Sequence, residues 1–208
     1  KSTSIAEGQP TIAAAAPLVA DPIVRTRGTF VGSVCHGDPQ GDWAACMIAL
    51  DGYIVAQGPN GRREIPVKSF VTGPFENVLA HNEIAIEAVV PAPRGEARGA
   101  YLKLERRVGD FATAAVAVAL DMSGDMVLRA GIALTGVGGT TIDASEAAES
   151  LTGSTLDADS IARAAELAAA AAQPRSDHRG SASYKRHIVN TFTARALSGI
   201  ASSNERAA

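Results

Sequence analysis

The stretch Phe111-Ala112-Thr113-Ala114-Ala115-Val116-Ala117-Val118-Ala119-Leu120 alternates in side-chain size with a period of two. On an extended chain Val116, Val118 and Leu120 fall on one side and Ala115, Ala117 and Ala119 on the other. A strand with one bulky and one small face lets a neighbour approach the small face closely; a helix is the ordinary neighbour, a flat ring the other. Outward from this strand, Ala100 to Glu105 and Met126 to Leu134 also read as strands, the latter reached through a Ser123-Gly124-Asp125 turn. Together they form a three-stranded antiparallel meander. Three helices follow. The first is a short one ending at Leu151, entered by Asp143-Ala144-Ser145-Glu146, which resembles a capping box. The second runs from Asp159 to Ala172. The third runs from about Ser181 to Ile200, with Tyr184, Ile188, Phe192, Ala196, Leu197 and Ile200 as its apolar stripe. Strands first and helices after them define an α+β unit with a three-helix layer.

Upstream, Pro91-Ala92-Pro93-Arg94-Gly95 cannot continue a strand or a helix and marks a domain boundary, giving units 1–92 and 93–208. The first unit mixes short elements and reads as a mixed α/β subdomain. Thr11 to Val19 is a helix closed by Asp21-Pro22. Asp38 to Leu50 is a second helix, with Asp38 as cap, Pro39 at the first helical position, and Trp43, Met47 and Leu50 at helical spacing. Tyr53 to Ala56 is a strand, Asn60-Gly61 a hairpin turn, and a return strand runs through Ile65. Phe70 to Phe75 is a loop or short turn, and Glu83 to Val90 a strand.

The bulk properties remove several function classes. The formal charge of -3, from 19 basic and 22 acidic residues, gives no electrostatic footprint for nucleic acid. Basic residues meet only as short pairs such as Arg62-Arg63, which reads as solvated surface. No apolar run approaches the roughly 18 residues of a membrane span, and Thr11 to Ala20 lacks the make-up of a signal peptide. Cys35 and Cys46 have no Cys-x-x-Cys spacing and read as reduced thiols of a cytoplasmic protein. No metal ligand set is found, because His36 with Asp38 and Asp42 lacks a second histidine at ligand spacing. Cys35 and His36, adjacent on an extended chain, point to opposite faces and make no thiolate–imidazole pair. Ser33 is not in a nucleophile elbow. No catalytic acid, base or nucleophile emerges.

One segment could carry a ligand. From Arg25 to Asp42 the chain concentrates Gly, Ser and Thr ahead of a predicted helix, where backbone amides can approach an anionic or polyhydroxyl ligand. Asp42, one turn into that helix, offers a fixed carboxylate acceptor suited to a sugar or ribityl hydroxyl. A tight turn with no ligand is the plainer reading of the same residues.

The run Val24-Arg25-Thr26-Arg27-Gly28-Thr29-Phe30-Val31-Gly32-Ser33, continuing to His36-Gly37-Asp38-Pro39-Gln40-Gly41-Asp42, resembles the second FAD loop of molybdenum hydroxylase flavoprotein subunits. That family holds the medium subunits of aerobic carbon monoxide dehydrogenase and the FAD parts of xanthine dehydrogenases. Three further stretches agree. Phe75 to Pro91 is similar to the family's strand beside the flavin, Tyr101 to Phe111 to the start of its C-terminal domain, and Ser176 to His187 to its last-helix signature. The likeness runs in order along nearly the whole chain.

The resemblance implies an oxidoreductase subunit that binds FAD within a heteromeric complex. One partner subunit would carry a molybdenum cofactor and hydroxylate the substrate. A small iron–sulfur partner with 2Fe–2S clusters would deliver electrons, which pass through FAD to an external acceptor. By resemblance, Thr29, Phe30, Val31, Gly32 and Ser33 contact the FAD diphosphate and ribityl region. Asp42 accepts from a flavin or ribityl hydroxyl, Asp38 of the same run belongs to the cofactor-binding set, Ile84 or Ala85 lies against the isoalloxazine, and Lys103 sits near the flavin as a donor or a compensating charge. Val31 stands where the family usually has glycine, so a β-branched residue that resists positive φ occupies that place. The family also carries an N-terminal lobe with a first glycine-rich loop before the point matching Lys1, and this missing lobe or its equivalent is an expected partner of the site. A flavin-free relative serving assembly alone is the alternative, and flavin absorbance separates the two.

Overall fold

The computed structural model describes residues 3–205. Short helices open the chain: α1 (Thr3–Gly8), α2 (Pro10–Ala15) and α3 (Pro22–Arg25). The predicted Thr11–Val19 helix is α2 followed by a tighter 3-10 turn at Ala16–Leu18, which contains Pro17. Next come α4 (Phe30–His36) and α5 (Asp42–Ala49). Then β1 (Tyr53–Gly58) pairs antiparallel with β2 (Gly61–Pro66), with Gly58 opposite Gly61. The turn centre is therefore Pro59-Asn60 rather than Asn60-Gly61, since proline presets φ for the first central position. The stretch Phe70 to Phe75, expected as a loop or short turn, falls within the single turn α6 (Val67–Phe70) and a small hairpin of β3 (Val71–Gly73) and β4 (Glu76–Asn77). The strand β5 (Ile84–Val89) lies on the other edge of β1, giving the order β2-β1-β5.

The second half begins with β6 (Glu96–Leu104), β7 (Ala114–Ser123) and β8 (Met126–Thr135), the expected antiparallel meander. A two-residue strand, β9 (Ile142–Asp143), extends it to four. Helices α7 (Ser145–Glu149), α8 (Ala158–Ala171) and α9 (Ala182–Glu205) follow. The expected capping box at Asp143 is not formed, because that residue pairs in β9 and Ala144 enters α7 with no side-chain cap. Asp157 caps α8 by accepting from Ser160 N at 2.8 Å, and Ser181 does the same for Tyr184 N at 3.1 Å ahead of α9.

The alternation along β7 separates two cores. Val116, Val118 and Leu120 pack with Ala147, Leu151, Ala164 and Leu197 of the helix layer. Ala115, Ala117 and Ala119 pack with Ala45, Met47 and Ala49 of α5 and with Ile54 and Tyr101. A helix covers the small face, then, and no space for a ring remains along it. Gly131 on β8 completes the fit, since a Cβ there would collide with the Ala49 carbonyl. In α9 the apolar stripe buries Ala196, Leu197 and Ile200, with Val189 and Thr193 added, while Tyr184 stays largely exposed. Among the described residues no helix is long and apolar enough to cross a membrane.

Candidate cofactor site

The glycine-rich run folds as a helix rather than a loop. Thr29 has extended backbone, and its Oγ1 accepts from Gly32 N at 3.0 Å, so Thr29 is the N-cap of α4. Gly37 ends the helix at φ +64°. Val31 lies in the first turn and is not among the residues with positive φ, so its branched side chain meets no strained backbone. Cys35 and His36 are neighbours on a helix, not on an extended chain. They still diverge, as His36 packs its ring 5.1 Å from that of Phe75.

Asp38 does not cap α5. Its Oδ1 accepts from Gln40 N at 2.8 Å, closing a local turn, and α5 starts four residues later, with Gly41 at the N-cap position and Asp42 first in the helix. That turn is tied to the second half of the chain. The Thr135 hydroxyl lies 2.8 Å from Gly41 O and 2.9 Å from Pro39 O, and Gly136 N donates to Pro39 O at 2.8 Å.

These elements enclose a cavity of about 430 Å³, inside the roughly 300–1,000 Å³ range of small-molecule sites. Phe30 of α4 and Trp43 of α5 line it with ring centroids 4.6 Å apart. Thr29 and Ser33 add hydroxyls, and Asp42 a carboxylate. Opposite stand residues 16–20 and the loop Gly109-Asp110-Phe111, whose Phe111 is 51% exposed. Arg25 braces the first of these, donating to Val19 O and Pro17 O at 2.7 Å and Ala20 O at 3.2 Å. Arg179, from the segment ahead of α9, braces the second by donating to Phe111 O at 2.8 Å.

Asp42 is 7% exposed. Its Oδ1 accepts from the Tyr101 hydroxyl at 2.6 Å and its Oδ2 from Lys103 Nζ at 3.0 Å. Lys103, whose side chain is 1% exposed, also donates to Leu18 O at 3.0 Å and stands 3.4 Å from Glu105 Oε2. That last contact is an ion pair without hydrogen-bond geometry, so Glu105 Oε2 is a buried acceptor with no donor. Burial pushes the Asp42 carboxyl above its usual range, against the Tyr101 hydrogen bond and the Lys103 charge, which lower it. Burial, then the Asp42 charge, pushes the Tyr101 phenol well up, so it stays a donor. Burial first, then the Asp42 charge, also raises the Cys46 thiol.

Of the expected site residues, Thr29, Phe30, Ser33 and Asp42 line the cavity. Val31 and Gly32 share the first turns of α4 but do not line it, and Lys103 lies behind Asp42. Asp38 faces a separate cleft of about 650 Å³ with Phe75 and Arg175. Ile84 and Ala85 sit on β5 away from the cavity: Ile84 is 65% exposed, and Ala85 packs into the core. Sequence reasoning missed Trp43, which it read as core, and Phe111, which it read as strand. It also missed Arg25, which stood inside the quoted run as a signal. The donor set fits the ring and polyol portion of a flavin: a tilted aromatic pair, two hydroxyls, and a carboxylate with lone pairs left over. Arg25 is the one Lys or Arg among the cavity-lining residues, and it is turned back on carbonyls, so this cavity offers little to a diphosphate.

Fold and site together define a flavoprotein subunit of the molybdenum hydroxylase class, and the chain belongs to that family. Residues 2–93 match the FAD binding domain in molybdopterin dehydrogenase, and residues 99–200 the CO dehydrogenase flavoprotein C-terminal domain. The chain is 40% identical to the carbon monoxide dehydrogenase medium chain of Hydrogenophaga pseudoflava over 90% of its own length and 66% of that protein's. It is 34% identical to the nicotine 6-hydroxylase medium subunit of Paenarthrobacter nicotinovorans, over 94% of its own length and 69% of that protein's. The solved carbon monoxide dehydrogenase of H. pseudoflava superposes with a TM-score of 0.91 at 39% identity, covering 98% of this chain and 70% of that one. Quinoline 2-oxidoreductase from Pseudomonas putida 86 superposes with a TM-score of 0.87 at 28% identity. The chain thus spans about two thirds of the length of its relatives.

Proposed function

We propose that this chain is the flavin-holding part of an electron-transfer subunit in a cytoplasmic molybdenum hydroxylase, divided into units 1–92 and 93–208. The ring and ribityl end of FAD would enter the cavity between α4, α5 and the Gly109–Phe111 loop. The observation that carries this reading is Asp42: a buried carboxylate, held from behind by Tyr101 and Lys103, on the wall of an aromatic-lined cavity. FAD, when bound, supplies the redox chemistry that joins one-electron iron–sulfur donors to an external acceptor. The chain's own residues bind and orient: Asp42 accepts a hydroxyl, Thr29 and Ser33 add polar contacts, and Phe30, Trp43 and Phe111 offer aromatic surface that excludes water. Lys103 keeps the carboxylate charge-compensated. The diphosphate would be met mainly by the further third of chain that relatives possess. A molybdenum-cofactor subunit and an iron–sulfur subunit are the partners this reading requires.

The test is flavin retention by the complex carrying the subunit. Wild type is expected to be yellow, with flavin absorbance at one per subunit. Asp42→Ala is expected to weaken retention by on the order of 1.5–3 kcal/mol, the worth of a hydrogen bond to a charged group. Asp42→Asn, which keeps the shape, separates lost charge from lost packing. A colourless wild-type complex would leave the assembly-module alternative in its place. Unchanged retention in both variants would remove Asp42 from the site.

A further inference from the structure

Tyr101, Lys103 and Glu105 lie two residues apart along β6 and its continuation, so their side chains fall on one face. Tyr101 and Lys103 reach the first residue of α5, and Glu105 reaches Lys103 beside it. A carboxylate has about four lone-pair positions. Tyr101 takes one on Oδ1 and Lys103 one on Oδ2, which leaves the others free toward the cavity. The two donors do different work. An ammonium is a point charge with rotatable donors and would follow the carboxylate through a range of tilts. A phenol on a rigid ring that is 3% exposed cannot follow, so its 2.6 Å bond fixes the tilt. Glu105 then unbalances the charge. Two carboxylates face one ammonium, and one carboxylate oxygen is buried with no donor. An unpaired buried acceptor that is costly to keep calls for a reason.

We infer that Tyr101 and Glu105 are positioning residues for the cavity: Tyr101 fixes the direction in which Asp42 offers its free lone pairs, and Glu105 leaves a net negative charge beneath the occupant. The inference rests on the flavin reading for the identity of that occupant. Its consequence for a bound flavin is a division of labour. The phenol sets affinity, because it orients the acceptor without changing the charge. The second carboxylate sets reduction potential, because fixed negative charge opposes the gain of negative charge beside it.

Two variants in the full-length subunit, assembled in its complex, separate these roles. Tyr101→Phe is expected to weaken flavin retention about tenfold or more, the worth of a hydrogen bond to a charged group, with the flavin midpoint potential nearly unmoved. Glu105→Gln is expected to raise that potential while changing retention little. A third readout needs no flavin: the Asp42 carboxyl, followed by carbon-13 NMR against pH in the chain stripped of cofactor. The groups that face Asp42 are Tyr101 and Lys103 from β6, Glu105 just after it, Cys46 from its own helix, and Arg25, His36 and Asp110 on the shared cavity wall. Tyr101→Phe should move the Asp42 titration to higher pH and Glu105→Gln to lower pH, each by loss of the effect it now exerts. If neither variant moves it, the cluster does not set Asp42 and the inference is overturned. If both move it but retention and potential follow the same pattern in the two variants, the division of labour is wrong. If the titration shifts as expected in a subunit that never holds flavin, the flavin reading fails while the control of Asp42 stands.

Discussion

The Ser176–His187 signature, matched in sequence to the family's last helix, acts in the structure as a scaffold. Asp177 Oδ2 holds Lys185 Nζ at 2.7 Å, Asp177 Oδ1 accepts from Arg179 N at 2.8 Å, and Ser176 Oγ accepts from Ala182 N at 2.9 Å. Lys185 is buried, so its ammonium depends on this partner. The Lys185 hydrogen bond holds the Asp177 carboxyl below its usual range. In the pH window between the two values the unfolded chain therefore binds more protons than the folded one, and stability rises with pH there. The contribution is present above the unfolded carboxylate pKa and is lost as pH falls through the lowered folded value. Asp177→Asn is expected to cost about 1–3 kcal/mol at neutral pH, less than a fully buried pair because the aspartate is partly exposed. Denaturant midpoints against pH check it. The gap between wild type and variant should narrow as pH falls below 4; a gap of the same size at both ends would refute the pairing as the source. At this scale the sequence was legible through family likeness and, for Asp42, through its own place in the Gly-, Ser- and Thr-rich run. Lys103 came from a matched position alone, while Tyr101 and Glu105 drew no notice as site residues because a tyrosine and a glutamate on an expected strand carry no local mark of their partners.

The elements divide by how much local chemistry decides them. The size alternation on β7 announced two faces, and the structure gives both: helices α7 to α9 on the bulky side, α5 on the small side. The helix α4 was not anticipated, because a Gly-, Ser- and Thr-containing run has weak helix propensity. Tertiary packing of Val34 and Phe30, with Thr29 as cap and Gly37 as stop, overrode that weakness. The Asp38 error has the same origin in reverse. An Asp-Pro pair suits a helix start, yet here its carboxylate closes a turn that Thr135 and Gly136 pin from β8, contacts no local pattern reveals. The close approach of α5 to β8 yields a sharp expectation. Gly131→Ala would drive a methyl into the Ala49 carbonyl, and backbone on both sides resists moving. It should destabilise by about 1–3 kcal/mol, the range for overpacking a full interior. Gly139→Ala, where a methyl would meet nothing within 4 Å, should stay within about 0.5 kcal/mol of wild type. Paired denaturant melts decide it, and equal effects at the two positions would mean that α5 is free to shift away from the sheet.

Across the whole molecule, the Pro91–Gly95 break separates the chain more than it separates the structure. The core on the small face of β7 takes Ala45, Met47 and Ile54 from one side of the break and Tyr101, Ala117 and Ala133 from the other. Polar ties cross it too: Lys103 to Asp42, Thr135 to Gly41, and Arg129 to Asp51 at 3.1 Å. The cavity is likewise built from both halves, with α4 and α5 on one wall and the Gly109–Phe111 loop on another. A shared core of this kind removes the stable state in which one half is folded and the other open, because opening either strips apolar surface from both. Trp43 is the single tryptophan and stands on α5 in the first half, packed against the shared core, while the greater part of the helical residues lies in α7, α8 and α9 in the second. Tryptophan fluorescence and far-ultraviolet circular dichroism therefore report different halves. Their denaturant transitions are expected to coincide in midpoint and slope. Transitions at different midpoints would show that the halves unfold separately, and that the faces of β7 join two cores without coupling them.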